Sequence, residues 1–140
     1  MTKDDRLERL RSVPLFGSCT EKQLEFIASR VEDVDLPAGK VLTEEGKSGG
    51  EFFILLSGEA EVRRGGRLLD TMKAGDFFGE IALLDNGPRT ATVTAKTAIR
   101  SLVLSPRQFQ DVIHQEAGIA ATLLHVVTKR LRNNSGMPKD

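Results

Sequence analysis

Glu51-Phe52-Phe53-Ile54-Leu55-Leu56-Ser57-Gly58-Glu59-Ala60-Glu61-Val62-Arg63-Arg64-Gly65-Gly66-Arg67-Leu68-Leu69-Asp70-Thr71-Met72 reads as three short strands and the two turns that join them. Phe52 to Leu56 is an unbroken apolar run of strand length, closed by Ser57-Gly58. Glu59 to Arg64 and Arg67 to Met72 follow, with Gly65-Gly66 as a two-residue hairpin turn between them. Strand, tight turn and strand in this order set the chain on an antiparallel course.

The same pattern holds outward, from Val31 to Leu104. Short β-branched or aromatic runs alternate with glycines, and the expected strands are Val31 to Leu36, Lys40 to Thr43, Glu51 to Ser57, Glu59 to Arg64, Arg67 to Met72, Asp76 to Phe78, Thr90 to Ala95 and Ile99 to Leu104. The fold class is therefore mainly β with flanking helices, an eight-stranded antiparallel β-roll of the jelly-roll (double-stranded β-helix) type. Ahead of it, Leu7 and Leu10 stand at helical spacing among charges, and Thr20 with Gln23 forms a capping-box signature before Leu24, Phe26 and Ile27. These predict two N-terminal helices joined at Pro14 to Ser18. After it, Ser105 as N-cap and Pro106 at the first helical position open a helical region that runs to about Arg132, with a bend expected at Gly118. Ile119, Ala120, Leu123, Val126, Val127 and Leu131 make an apolar stripe on the last helix, and residues 133–140 read as a disordered tail.

Composition narrows the function classes. The chain has 140 residues, 39% hydrophobic and 29% charged, which suits one domain around one core. Lys plus Arg number 20 and Asp plus Glu number 20, so no net field draws in nucleic acid or an anionic membrane. Phe52 to Leu56 and Ile81 to Leu84 fall far short of the ~20 apolar residues that span a bilayer. Cys19 is the only cysteine, which excludes an internal disulfide and fits a reducing, cytoplasmic setting. His114 and His125 both lie in the helical tail, so no strand-borne metal set can form. No nucleophile, metal set or carboxylate pair can be assembled into an enzyme site. Arg63, Arg64 and Arg67 flank the glycine hairpin and read as a solvated tip.

One segment departs from strand-and-turn writing: Phe77-Phe78-Gly79-Glu80-Ile81-Ala82-Leu83-Leu84-Asp85-Asn86-Gly87-Pro88-Arg89-Thr90-Ala91-Thr92-Val93. Glu80 to Leu84 suits about one helical turn, and Asp85-Asn86-Gly87-Pro88 reverses the chain, bringing Arg89 and Thr90 back toward Gly79 and Glu80. Gly79 lets a ligand approach the backbone, and the start of a short helix favours an anion. Arg89 adds a charge-assisted contact to phosphate oxygens, Thr90 a hydroxyl, and Glu80 an acceptor that must meet a hydroxyl donor. One phosphate with a sugar hydroxyl beside it describes a ribose cyclic phosphate.

In this segment the sequence resembles the cyclic nucleotide-binding domain family, whose phosphate-binding cassette reads Phe-Gly-Glu, apolar residues, a turn, then Arg, a small or hydroxyl residue, Ala and an apolar strand. Pro37-Ala38-Gly39, the Gly46 turn, Phe52-Phe53-Ile54-Leu55 before Ser57-Gly58-Glu59, and Lys73-Ala74-Gly75-Asp76 extend the resemblance over most of the chain. It implies a cyclic nucleotide-binding domain over residues 1–132, divided into N-terminal helices (1–30), a β-roll (31–104) carrying the cassette (77–93), and C-terminal helices (105–132) that act as a lid. It also implies that Glu80 accepts from the ribose 2′-OH, that Arg89 and Thr90 hold the cyclic phosphate with help from the Ala82 and Ala91 backbone, and that Ile81 lines the site.

Two departures stand out. Gly50 occupies a position where many members carry an acidic residue, and the chain has neither Trp nor Tyr to cap the base. The lid would then be aliphatic, with Leu123, Val127 and Leu131 as its candidates. The expected ligand is cAMP, with cGMP as the alternative because a Thr after the Arg contacts guanine in some members. The expected function is a non-enzymatic sensor that requires no cofactor or metal and signals through its C-terminal helices to an effector protein or a covalently linked output domain. The rival readings are a ligand-free interaction roll and the truncated sensor of a catabolite-activator-type regulator.

Overall fold

All eight expected strands form, each end within two residues of its expected place: β1 Glu32–Leu36, β2 Val41–Thr43, β3 Phe52–Ser57, β4 Ala60–Arg64, β5 Arg67–Met72, β6 Phe77–Phe78, β7 Thr92–Ala95 and β8 Ile99–Leu104. The computed structural model describes residues 2–12, 16–17, 19–47, 50–79, 88–115, 117–121, 124–125 and 128–129. They divide into one unit of residues 30–109 and a second drawn from the described residues before 30 and after 109.

In the first unit the strands make two four-stranded antiparallel sheets, ordered β1-β8-β3-β6 and β2-β7-β4-β5. Phe53, Leu55, Phe78, Ile99 and Val103 from the first sheet pack with Ala60, Val93 and Ala95 from the second in one buried cluster. The unbroken apolar run of β3 has a simple cause, since residues Phe52 to Leu56 are buried on both faces of the strand. Phe53 faces the other sheet, while Phe52 lies 5.7 Å from Phe77 and 5.0 Å from Phe109 between ring centroids. Arg64 sits opposite Arg67 across the β4–β5 turn, and both turn glycines have positive φ, +58° at Gly65 and +79° at Gly66, so the hairpin needs no side chain there.

In the second unit α1 (Lys3–Arg11) and α2 (Glu21–Ala28) are each closed by a capping box, Thr2 with Asp5 and Thr20 with Gln23. Leu7 and Leu10 of α1 and Leu24, Ile27 and Ala28 of α2 are buried, and Arg6 donates to the Ala28 carbonyl oxygen at 3.1 Å. Helix α3 (Pro106–Gln115), whose first turn belongs to the first unit, starts where Ser105 and Pro106 require, with Ser105 and Gln108 exchanging side-chain to backbone hydrogen bonds of 2.9 and 3.2 Å. Gly118, expected at a bend, sits inside the helical residues 117–121. Ile119 of the expected apolar stripe is buried and Ala120 half-buried. Among the described residues no helix is long and apolar enough to cross a membrane.

Candidate functional site

β6 is two residues long, and its end is fixed by packing. Phe78 pairs with Phe53 across the sheet and the two rings stack at 4.8 Å. The next residue, Gly79, leaves the strand at φ +102°, where a Cβ would lie 2.5 Å from the Glu51 carbonyl oxygen and 2.7 Å from Arg89 Nη1. Only glycine lets the backbone pass this close to both.

Arg89 enters this gap from the other side of the sequence. Its backbone is clasped on both flanks: Arg89 N donates to the Lys47 carbonyl at 2.8 Å, and Gly46 N donates to the Arg89 carbonyl at 2.9 Å. The side chain then reaches inward and is only 6% exposed. Nη1 donates to the Gly79 carbonyl oxygen at 3.0 Å and Nη2 to that of Glu51 at 2.7 Å. The guanidinium therefore ties the start of β3 to the end of β6. Gly50 completes the cradle: at φ +96°, a Cβ there would stand 2.6 Å from Nη2 and 3.3 Å from Cζ. Carbonyl oxygens are dipoles, so these two contacts aim the cation without cancelling its charge. The arrangement is suited to presenting fork-shaped donors to an anion.

The residues after Arg89 are held from a third direction. Arg64 Nε donates to the Thr90 carbonyl at 3.0 Å, and Thr43 Oγ1 to the Ala91 carbonyl at 3.4 Å. Glu45 bridges further, its backbone N–H donating to Thr92 Oγ1 at 2.9 Å while its Oε1 accepts from Gly65 N at 2.9 Å. Thr90 itself is exposed, and its hydroxyl makes no hydrogen bond among the described residues.

Of the residues singled out from the sequence, Gly79 and Arg89 are brought into direct contact, and Thr90 and Ala91 follow on the same segment. Glu80, Ile81 and Ala82, and the lid candidates Leu123, Val127 and Leu131, lie outside the described residues. So does the helical turn expected from Glu80 to Leu84. Sequence reading did not find the Glu51 carbonyl, the Gly50 cradle or the Glu45 bridge. Arg64 departs from the solvated tip expected of it, since it is half-buried and bonded to Thr90. His114 and His125 are both exposed, and no group of His, Cys, Asp and Glu among the described residues could hold a metal ion.

Comparison with known proteins adds to this geometry. A family described as "Cyclic nucleotide-binding domain" matches residues 33–116. A cAMP-dependent protein kinase regulatory subunit of Mycosarcoma maydis is 36% identical over 119 residues, which cover 79% of this chain and 23% of that one. The chain thus spans about a quarter of the length of the curated relatives it matches. Among solved structures, the Thermus thermophilus catabolite activator protein superposes with a TM-score of 0.79 at 27% identity, covering 87% of this chain and 60% of that one. The regulatory subunit of a cAMP-independent protein kinase A from Trypanosoma brucei superposes with a TM-score of 0.79 at 20% identity, covering 93% and 46%. That last likeness speaks for the fold alone. With the family match covering more than half of its length, on a two-sheet roll that cradles Arg89 against Gly79, the chain belongs to the cyclic nucleotide-binding domain family.

Proposed function

We propose that this chain is a regulatory module that binds cAMP, in preference to cGMP, where Gly79 and Arg89 meet, and that it does no chemistry on the ligand. One observation carries the reading: Arg89 is only 6% exposed, and its guanidinium is aimed by two backbone carbonyls, at 3.0 and 2.7 Å, between glycines that leave it room. A guanidinium is a planar fork of donors matched to phosphate oxygens, and here the backbone clasp and the flanking glycines fix where that fork sits. Family membership supplies the ligand class, and the name of the Mycosarcoma maydis relative favours cAMP within it.

In this reading Arg89 and the Thr90 hydroxyl hold the ring phosphate, with the Ala82 and Ala91 backbone beside them. Glu80 accepts from the ribose 2′-OH, Ile81 lines the sugar side, and Leu123, Val127 and Leu131 cover the base. The functional domain is residues 1–132, acting in the cytoplasm without a membrane span, metal or nucleic-acid partner. Its output passes to an effector protein or to a covalently linked domain.

Signalling requires that the ligand bind one arrangement of the C-terminal helices more tightly than another, and only that difference shifts the equilibrium. Moving a population from 1:99 to 99:1 takes a preference of about 5.5 kcal/mol. Calorimetric titration with cAMP, cGMP and 5′-AMP tests the reading. Tight binding of cAMP, weaker binding of cGMP and none of the acyclic monophosphate is the expected result. Equal indifference to all three would leave the chain a ligand-free interaction roll.

A further inference from the structure

We infer that Arg64 is a positioning residue for the anion site, and that through it and Glu45 the β4–β5 hairpin acts as a clamp on the segment that carries Arg89; this rests on the nucleotide-binding reading above. Arg89 has its own backbone clasp to Gly46 and Lys47, but that clasp belongs to the loop after β2, residues 44–47, which needs an anchor of its own.

Glu45 supplies it. One residue reaches both sides, its amide to Thr92 Oγ1 and its carboxylate to Gly65 N, each at 2.9 Å. Arg64, beside Gly65, returns to the same segment through Nε to the Thr90 carbonyl at 3.0 Å. Hairpin tip, post-β2 loop and residues 90–92 are therefore joined in a closed ring of hydrogen bonds next to the Arg89 backbone. The bond falls on the two-residue turn itself, where Gly65 and Gly66 have positive φ values of +58° and +79°.

Arg64 touches the carbonyl of Thr90, an exposed residue whose hydroxyl makes no hydrogen bond among the described residues. A hydrogen bond to the carbonyl fixes the peptide plane on which the Thr90 side chain and the Ala91 N–H are carried. Loosening it should let both wander from the phosphate, which raises the rate of ligand release more than it lowers the rate of capture.

The test compares the native chain with Arg64→Ala, Arg64→Gln, Arg64→Lys and Glu45→Ala. Hydrogen exchange is followed without nucleotide at the Arg89 and Gly46 amides, with the Leu55 amide of β3 as reference. Stopped-flow dissociation of cAMP is followed alongside. Arg64→Ala and Glu45→Ala are expected to speed exchange at Arg89 and Gly46 but not at Leu55, and to speed cAMP release about three- to tenfold, the range set by one hydrogen bond's net worth. Arg64→Gln, which keeps an N–H donor without the charge, should recover part of both effects. Unchanged exchange at Arg89 and Gly46 in Arg64→Ala would overturn the clamp. So would recovery by neither Arg64→Gln nor Arg64→Lys, since both keep an N–H donor. If the native chain binds no cyclic nucleotide the binding reading fails, while the exchange data still decide the clamp.

Discussion

Arg89→Ala removes the side chain that joins the start of β3 to the end of β6, and it should damage the ligand-free protein as well as the complex. Two hydrogen bonds from a charged donor to described residues are lost, at 3.0 Å to Gly79 and 2.7 Å to Glu51. Such bonds contribute about 1.5 to 3 kcal/mol each when fully buried. Glu51 is exposed and Gly79 half-buried, so water can reach the vacated carbonyls and soften the loss. The net cost should be about 2 to 4 kcal/mol, against a total domain stability of roughly 5 to 15 kcal/mol. At about 4 °C per kcal/mol for a chain of this size, Tm falls by roughly 8 to 16 °C. Urea titration of ligand-free protein measures the first effect, and calorimetry with cAMP, where at least a tenfold loss (about 1.4 kcal/mol) is expected, measures the second. Arg89→Lys keeps the charge, yet an ammonium cannot span two carbonyls as a planar fork does, so it should recover stability better than affinity. A ligand-free urea midpoint equal to the native one would refute the cross-linking role, and an unchanged cAMP affinity would refute the ligand role.

Other perturbations separate the parts. Gly79→Ala forces a side chain into φ +102° and into the Arg89 guanidinium, so it should cost at least about 2 kcal/mol of stability and cripple cAMP binding; a variant that binds normally would contradict the cradle. Glu80→Ala should weaken cAMP at least tenfold (about 1.4 kcal/mol) yet leave 2′-deoxy-cAMP almost untouched, and equal losses for both ligands would remove its ribose role. Ser101 is fully buried with its hydroxyl donating to the Ile54 carbonyl at 3.0 Å, so Ser101→Ala should cost about 1 to 2 kcal/mol in urea titration, whereas an unchanged midpoint would count against that bond. Hydrogen bonding with the Thr2 side chain, and then with the Thr2 backbone N–H, holds the Asp5 carboxyl below the usual aspartate range. Its support for α1 is therefore complete above the unfolded value near pH ~4 and is lost as pH falls through the lower folded value. A carboxyl-carbon NMR titration of Asp5 should place its midpoint below that of an ordinary aspartate, and one at or above it would break the assignment.

The roll was legible because its signals are local and redundant. Phe52 to Leu56 could be read as a strand from its length and its bounding Gly58, and Gly65-Gly66 admitted a tight turn and little else. Thr20 with Gln23, and Ser105 before Pro106, marked helix starts through side chains that cap backbone N–H groups. Gly79 and Arg89 could be paired from sequence because Asp85-Asn86-Gly87-Pro88 has the composition of a chain reversal. What held Arg89 could not be read, since its partners at Gly79 and Glu51 are carbonyls, which every residue carries. Gly50 was visible as a missing acid, but its consequence appeared only when the guanidinium was found lying over it. Arg64 misled for the same reason: an arginine at a hairpin tip looks solvated until a distant backbone oxygen, here that of Thr90, takes its N–H.

Crystals of the chain grown with cAMP measure the central relation directly. The ring phosphate should sit with one oxygen about 2.7 to 2.9 Å from an Arg89 terminal nitrogen, while that side chain keeps its carbonyl contacts to Gly79 and Glu51. A nucleotide lodged elsewhere on the roll, or an Arg89 site without one at saturating cAMP, would contradict it.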